Sequence, residues 1–385
     1  MKNILFIHQS AELYGSDKTL LLLLKHIDKS KFNSVVILPN EGPLKIELEK
    51  ENIKVVIAPV LKLYRKMFSP GNILKFFKDI KVAFKTVDKL DKEYKFDIIY
   101  SNTLAVLLGI FYAHKRGIKH LWHVHEIIES PKIFTKLFCK LLALKSNSRI
   151  IYNSVATKVF WNINRTISEK AELICNGLEI PEISISNDEI TTIRKDLFNS
   201  DPSKIVIALV GRISRWKGQK VLLNSFYEIS KIHTNVKLVF IGSPPPNQGL
   251  FLEELEQQII GLQLSNKVIL IPFTTEITKI WQAIDIAVVP STEPEPFGLV
   301  AVEAMLAKKP AIGSNHGGLT EIIVNTETGF LVEPNNEIQL AEAISKLIEN
   351  PELRKLYGEN GYQRAISEFS ADSYVNKFEK ILLVL

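Results

Sequence analysis

Two glutamates in "EPEPFGLVAVEAMLA" (293–307), Glu295 and Glu303, stand with seven residues between them. Glu303 follows Leu299, Val300, Ala301 and Val302 and precedes Ala304, Met305, Leu306 and Ala307. A helix apolar on every side is normally buried, and a buried carboxylate is costly unless something pairs with it. The sequence therefore asks what hydrogen donor Glu303 meets. A sugar or ribose hydroxyl would serve, and so would a core arginine.

Other residues with chemistry fall just after strand-like apolar runs. "VIALVG" is followed by "RISRWKGQ", which carries Arg212 and Lys217; "AVVPS" leads into the two-glutamate stretch, and "KPAIGS" into "NHGGLTEII". Ligands of open parallel sheets gather at the carboxyl ends of the strands. Gly298 can open a helix without crowding what approaches its end. The backbone N–H groups of Phe297, Gly298, Leu299 and Val300 would then point at an anion site, with Arg212 and Lys217 as cations beside it. Taken singly, two surface charges and a glycine turn are ordinary. Taken together they describe a diphosphate receptor, with Glu295 and Glu303 as acceptors for hydroxyls.

The first half carries a second set. "AELYGSDKTLLLLL" takes a strand into a helix, and Gly15 and Ser16 could bring N–H groups to a phosphate, although a plain strand-to-helix turn reads the same way. In "LWHVHEII", His123 and His125 alternate with Val124 and so share one face of a strand end, followed by Glu126. Two such histidines could bind zinc, but no third ligand presents itself; His123 also reads as a satisfied structural histidine.

The elements that would position these residues alternate regularly. The strand-like runs are "NILFIH", "SVVILP", "KVVIAPV", "FDIIYSN", "HLWHVHE", "RIIYNS" and "ELICNG", then "KIVIALVG", "VKLVFIGS", "KVILIPF", "DIAVVPS", "KPAIGS" and "GFLVEP". Continuous apolar strands between helices indicate parallel sheets covered on both faces. Two series indicate two doubly wound, Rossmann-like α/β domains: residues 1–182 and 204–369, with a linker at 183–203 around Asp201-Pro202. The end, "SADSYVNKFEKILLVL", reads as a capped helix (370–385) with Tyr374, Phe378, Ile381, Leu382 and Leu385 at helical spacing.

Composition narrows the class. With 46% apolar and 23% charged residues the chain is an ordinary globular one. No apolar run is long enough to span a bilayer, and "MKNILFIHQS" turns polar too soon for a signal peptide. Two cysteines, Cys139 and Cys175, make no disulfide framework and suit a reducing cytoplasm. The net charge of +6 is uneven: residues 1–182 hold 29 Lys and Arg against 18 Asp and Glu (+11), the remainder 19 against 24 (−5). The stretches 72–90 and 132–149 are basic and amphipathic. Their apolar residues (Phe76, Phe77, Ile80, Phe84, Val87; Phe134, Leu137, Phe138, Leu141) cover the sheet, while their lysines, with "LKLYRKMF" (61–68), suit an anionic leaflet. Nucleic acid is a poor fit, because no aromatic-basic module is present, and a G-x-G-x-x-G for nicotinamide is missing.

The E-x7-E from Glu295 to Glu303, with "GR…KG" at 211–218, "NG" at 176–177, "GG…E" at Gly317, Gly318 and Glu321, and "TGFLVEP" at 328–334, resembles the retaining family 4 glycosyltransferases over nearly the whole chain. The resemblance implies a GT-B fold, two Rossmann-like domains facing across a cleft with the terminal helix crossing back to the first. It implies a nucleotide-sugar donor (UDP- or GDP-linked) held by the second domain. Arg212, Lys217 and Gly15 then look like diphosphate ligands and Glu295 like the donor-sugar contact. Glu303 looks like the ribose ligand, and Phe297, Gly298, Leu299 and Val300 like the frame around sugar and phosphate. Glu295 and His125 take the catalytic places, with His123 and Glu126 on the acceptor side. No metal or cofactor is expected. Some positions depart from the family: Lys308 and Pro272 stand where glycine is common, and in the turn after the first strand Tyr14 precedes Gly15 and Asp17 takes the place of a glutamate. The expected function is transfer of one sugar to a saccharide acceptor, lipid-diphosphate-linked, in bacterial-type cell-surface polysaccharide synthesis (O-antigen or capsule), by a cytoplasmic enzyme peripheral to the inner membrane face. An epimerase or phosphorylase on the same fold, or a non-catalytic sugar-binding partner subunit, is the alternative.

Overall fold

The computed structural model describes residues 1–63, 70–182 and 185–385, the side chains of 70–73 excepted. Residues 64–68 of "LKLYRKMF" and the first two residues of 183–203 thus fall outside the described residues. The chain forms two compact units, Met1–Glu179 with Ala371–Leu385, and Ile180–Ser370.

In the first unit seven strands form one parallel sheet: β1 (Lys2–His8), β2 (Phe32–Leu38), β3 (Lys54–Ile57), β4 (Ile98–Asn102), β5 (Lys119–Val124), β6 (Asn147–Tyr152) and β7 (Ala171–Leu173). Their order is β3-β2-β1-β4-β5-β6-β7. Alternate side chains feed two cores. Leu5, Ile7, Val35, Ile37, Ile99 and Trp122 pack on one face, and Ile4, Phe6, Val36, Leu38, Ile98 and Tyr100 on the other. That double burial is why the strands read as unbroken apolar runs. The order in which strands are added reverses between β1 and β4, which pair in parallel from Ile4↔Ile98 to His8↔Asn102, so the switch point of this sheet lies at His8 and Asn102.

The second unit repeats the plan with β8 (Ile205–Val210), β9 (Val236–Ile241), β10 (Val268–Ile271), β11 (Ile286–Val289), β12 (Ala311–Ser314) and β13 (Gly329–Val332). The order β10-β9-β8-β11-β12-β13 places its switch point between β8 and β11. Each of the thirteen strand-like runs corresponds to one of these strands.

The stretch 180–203, without clear periodicity in sequence, contains a helix, Asn187–Asp196, opened by a capping box of Ser186 and Glu189. Arg194 from this helix donates two hydrogen bonds of 2.9 Å to the Asp285 carboxylate just before β11, which also accepts from Val206 N–H at 2.7 Å. The helix is thereby tied to the two strands that flank the switch point.

The terminal helix, Ala371–Val384, belongs to the first unit. Tyr374, Val375, Phe378 and Leu382 enter the same core as β1 and β2. Lys2 Nζ donates to the carbonyls of Leu382 and Leu383 at its far end. Lysine at a helix C-terminus satisfies carbonyls left without partners in the last turn.

The basic amphipathic stretches form the helices Pro70–Tyr94 and Lys132–Leu142. Val87, Phe138 and Leu142 are buried, and Phe76, Ile80, Phe84, Phe134 and Leu141 are partly buried against the core. Phe77 and Leu137, expected to cover the sheet, are instead exposed, with Leu74, Val82 and Ile133 beside them. These helices are wider in apolar surface than the sheet can cover.

Asp285→Ala leaves the mostly buried Arg194 guanidinium without its anion and Val206 N–H without its acceptor. It should lower the stability of the second unit by about 3 kcal/mol, read as a fall in the denaturant midpoint.

Candidate active site

In the second unit charged residues gather at the switch point. β8 leaves through Gly211 (φ +149°) to Arg212, which is exposed. Lys217 then precedes Gly218, whose φ of +77° starts the Gln219–Ile232 helix. A Cβ on Gly218 would lie 1.9 Å from the carbonyl oxygen of Pro290, at the exit of β11. Only glycine lets these two strand exits approach so closely. The approach brings Lys217 Nζ to 2.6 Å from Glu295 Oε1. Both side chains are mostly buried, Glu295 the more so at 5% exposure. Ser291 Oγ donates to the same carboxylate oxygen at 2.5 Å, and Lys217 Nζ also lies 4.4 Å from the Trp216 ring centre.

The backbone around Glu295 is fixed from β12. Gly318 N–H donates to the Glu295 carbonyl at 2.7 Å, and a Cβ on Gly317 would meet that carbonyl at 2.5 Å. His316 Nε2 bonds the Ser291 carbonyl at 2.9 Å. The glycine pair of "NHGGLTEII" is therefore a clamp on the loop that carries the acid. Phe297 is buried, Gly298 adopts φ +119°, and Leu299–Leu306 is helical.

Glu303 differs from its expectation. Ala301, Val302, Ala304, Met305 and Leu306 are buried, but Leu299, Val300 and Glu303 are only half-buried. Positions i, i+1 and i+4 form one stripe of a helix, so the helix is sheathed on all but that stripe. The seemingly all-round apolar pattern arises because the stripe is two aliphatic residues and one acid. At its end Lys308, standing where glycine was expected, takes φ +58° all the same. Lys308 and Lys309 N–H groups bond the Met305 and Ala304 carbonyls, and the Lys308 ammonium pairs with Glu359 at 2.9 Å.

In the first unit the residues at the carboxyl ends of β1, β4 and β5 form a connected polar group. His8 Nε2 lies 2.5 Å from Asp17 Oδ1. Asn102 Nδ2 lies 3.0 Å from His8 Nδ1 and donates to the Ser16 carbonyl at 3.1 Å. His125 Nε2 is 2.9 Å from Asn102 Oδ1. His8, Asp17 and Asn102 are buried; His125 is half-buried. Asp17 also accepts from Tyr14 N–H at 2.8 Å, which holds the turn carrying Gly15 and Ser16. His123 and His125 do share a face, with ring centres 3.8 Å apart. His123 is buried behind His125, its Nδ1 2.7 Å from Tyr100 Oη. Glu126 turns inward and accepts from the N–H groups of Leu104 and His125. Burial holds His125 down to about 3, with His8 adding to the effect. Burial pushes the Glu126 carboxyl up to about 7 against those N–H donors. Among the described residues no group of three potential ligands is placed to hold a metal ion.

Comparison with known proteins identifies the family. The family "Glycosyl transferases group 1" matches residues 190–364. A glycosyltransferase of Methanocaldococcus jannaschii is 30% identical, with 87% of this chain and 86% of that protein covered. The chain belongs to the group 1 glycosyl transferases. The capsular polysaccharide glycosyltransferase CapM of Staphylococcus aureus is 28% identical over 79% of this chain and 81% of its own length. The crystal structure of Anabaena HepE with UDP-glucose superposes with a TM-score of 0.85, at 27% identity and full coverage of both chains. The glycosyltransferase thus has the two Rossmann-like units of the GT-B fold.

Lys217 and Glu295 were visible to sequence reading as separate ligands, but not as each other's partner. His8 and Asn102, which the structure joins to Asp17 and His125, are not among the residues the sequence singles out. Their signal was available: His8 and Asn102 are polar residues ending otherwise apolar strands on either side of the reversal in strand order.

Glu126 supplies a test of the first-unit geometry. Its folded carboxyl, about 7, lies above the ordinary 4.5. The contribution to stability is therefore full below pH ~4.5 and declines as pH rises towards ~7. Glu126→Gln should abolish that part of the slope, a difference on the order of 1–3 kcal/mol between the two ends of the window, measured by denaturation of both proteins at several pH values.

Proposed function

We propose that this glycosyltransferase moves a sugar from a UDP-sugar to a saccharide acceptor with retention at the anomeric carbon, as expected of family 4. The observation that carries the reading is the buried Lys217–Glu295 pair at the second unit's switch point. A buried ion pair contributes little net stability compared with apolar packing, so a pair in this position is better accounted for by a ligand that both partners serve. The donor would separate them. Lys217 and Arg212 would take diphosphate oxygens, and Glu295 would accept from donor-sugar hydroxyls. Glu303, on the half-open stripe of its helix, would accept from the ribose. The first-turn N–H groups beyond Phe297 and Gly298, at Leu299 and Val300, complete the frame. UDP is favoured because HepE, similar over its full length, is seen with UDP and with UDP-glucose.

In the first unit, His125 is assigned to the reacting centre and the turn at Gly15 to phosphate. Glu126 keeps the His125 backbone in place, and His123 supports its ring from behind. The acceptor oxygen bonds to the anomeric carbon as the carbon–phosphate-oxygen bond breaks on the same face. The acceptor proton passes to the departing diphosphate oxygen. The enzyme's part is positioning and stabilising charge on the leaving group.

Capsule and lipopolysaccharide enzymes among the relatives support a cell-surface polysaccharide acceptor, lipid-linked. The two lysine-rich helices with exposed Leu74, Phe77, Ile133 and Leu137 support contact with an anionic leaflet. Among the described residues no helix is long and apolar enough to cross a membrane.

Glu295→Ala should retain the fold by circular dichroism yet lower kcat about a hundredfold; unchanged transfer would remove Glu295 from the chemistry. Conversion of the UDP-sugar without any acceptor would indicate an epimerase instead. For the membrane, the protein should sediment with phosphatidylglycerol vesicles at low salt and be released as ionic strength rises. Equal recovery from neutral vesicles would contradict the electrostatic part.

A further inference from the structure

The polar group at the first unit's switch point has a direction. The Ser16 carbonyl can only accept, so the Asn102 amide must present its NH2 there, and the same NH2 faces His8 Nδ1. His8 Nδ1 is then an acceptor and carries no proton. Its proton sits on Nε2, donated to Asp17 Oδ1 at 2.5 Å. The other end of the amide, Oδ1, can only accept, so His125 Nε2 must carry a hydrogen. Every bond in the chain follows from two groups of fixed character: the Asp17 carboxylate, held by Tyr14 N–H, and the Ser16 carbonyl.

We propose that Asp17, His8 and Asn102 act as a positioning relay that holds the His125 proton on Nε2 and leaves the lone pair on Nδ1. Burial keeps the ring uncharged. At the ring's remaining nitrogen His125 therefore accepts a hydrogen bond from a substrate hydroxyl and cannot donate one to a phosphate. The inference rests on the placement of His125 at the reacting centre, but its first test is independent of activity. Asn102 also joins this choice to the Gly15–Ser16 turn, because one amide holds the Ser16 carbonyl and the His125 ring.

The relay makes an unusual forecast for Asp17→Asn. The new side chain must keep its carbonyl towards Tyr14 N–H, so its NH2 faces His8. His8 then accepts at Nε2 and carries its proton on Nδ1. Asn102 must turn its oxygen to His8 and its NH2 to His125, breaking the bond to Ser16. His125 is left with an unprotonated Nε2 and a proton on Nδ1. A substitution two hydrogen-bonded groups away thus reverses the polarity of the nitrogen offered to substrate.

Two-bond 1H–15N correlation spectra of 15N-labelled protein read each tautomer directly. In the wild type His8 and His125 should both carry the proton on Nε2; a His125 proton on Nδ1, or an imidazolium at neutral pH, overturns the proposal. In Asp17→Asn the His125 signal should move to the Nδ1–H form. kcat should fall about tenfold, the effect of one hydrogen bond lost in the transition state, with the donor KM nearly unchanged. An unshifted His125 tautomer in the folded variant also overturns it. If Asp17→Asn does not fold, the wild-type spectrum alone decides. A tautomer that shifts while kcat stays level would uphold the relay and refute the placement of His125, a result His125→Ala in the same assay would repeat.

Discussion

A parallel sheet covered on both faces has nowhere along its strands to keep a polar group without a partner. Side chains above and below β1, β4, β8 and β11 are committed to packing, so chemistry is confined to the strand ends. There the backbone turns into helices, and N–H groups, glycines and charges can coexist. Each unit obeys this constraint separately. His8 and Asn102 end the strands at one reversal of strand order; Lys217 and Glu295 follow the strands at the other.

The two sites meet the cost of burying polar atoms differently. The second unit opposes a cation to an anion, with a serine hydroxyl sharing the carboxylate oxygen. Such a pair is tense, since neither partner is as well solvated as in water, and it is suited to being parted by something more highly charged. The first unit contains an aspartate, but its histidines and asparagine are joined by bonds whose sense is forced along the chain. That arrangement resists rearrangement and defines a proton's location. One site is an ion pair and the other a chain of hydrogen bonds.

Much of this could be read from the residues. The thirteen strands were legible because each is an unbroken apolar run between helical stretches. The two-glutamate spacing and the cations after β8 were legible because their types and positions are unusual together. What was not legible depends on distance through space. The mutual pairing of Lys217 and Glu295 needs the close approach that Gly218 allows to Pro290. The half-open stripe of Glu303 is invisible because its neighbours on that stripe, Leu299 and Val300, are aliphatic. Phe77 and Leu137 fit the helical apolar pattern, yet the sheet beneath them is already covered, and periodicity cannot say how wide the sheet is. Lys308 shows the reverse case: it ends its helix in the left-handed region, with its N–H and that of Lys309 bonded back to Met305 and Ala304, where local preference would choose glycine.

The helix Ala371–Val384 completes the core of the unit that begins at Met1. During synthesis, the ribosome delivers it only after the entire Ile180–Ser370 unit has emerged. Until then the core between the Gly15–His26 helix and β1 and β2 lacks the part of its cover that Tyr374, Val375, Phe378 and Leu382 supply. The nascent chain must therefore shelter an unfinished first half while its second half folds, a window in which chaperones have something to grip and truncated products have cause to aggregate.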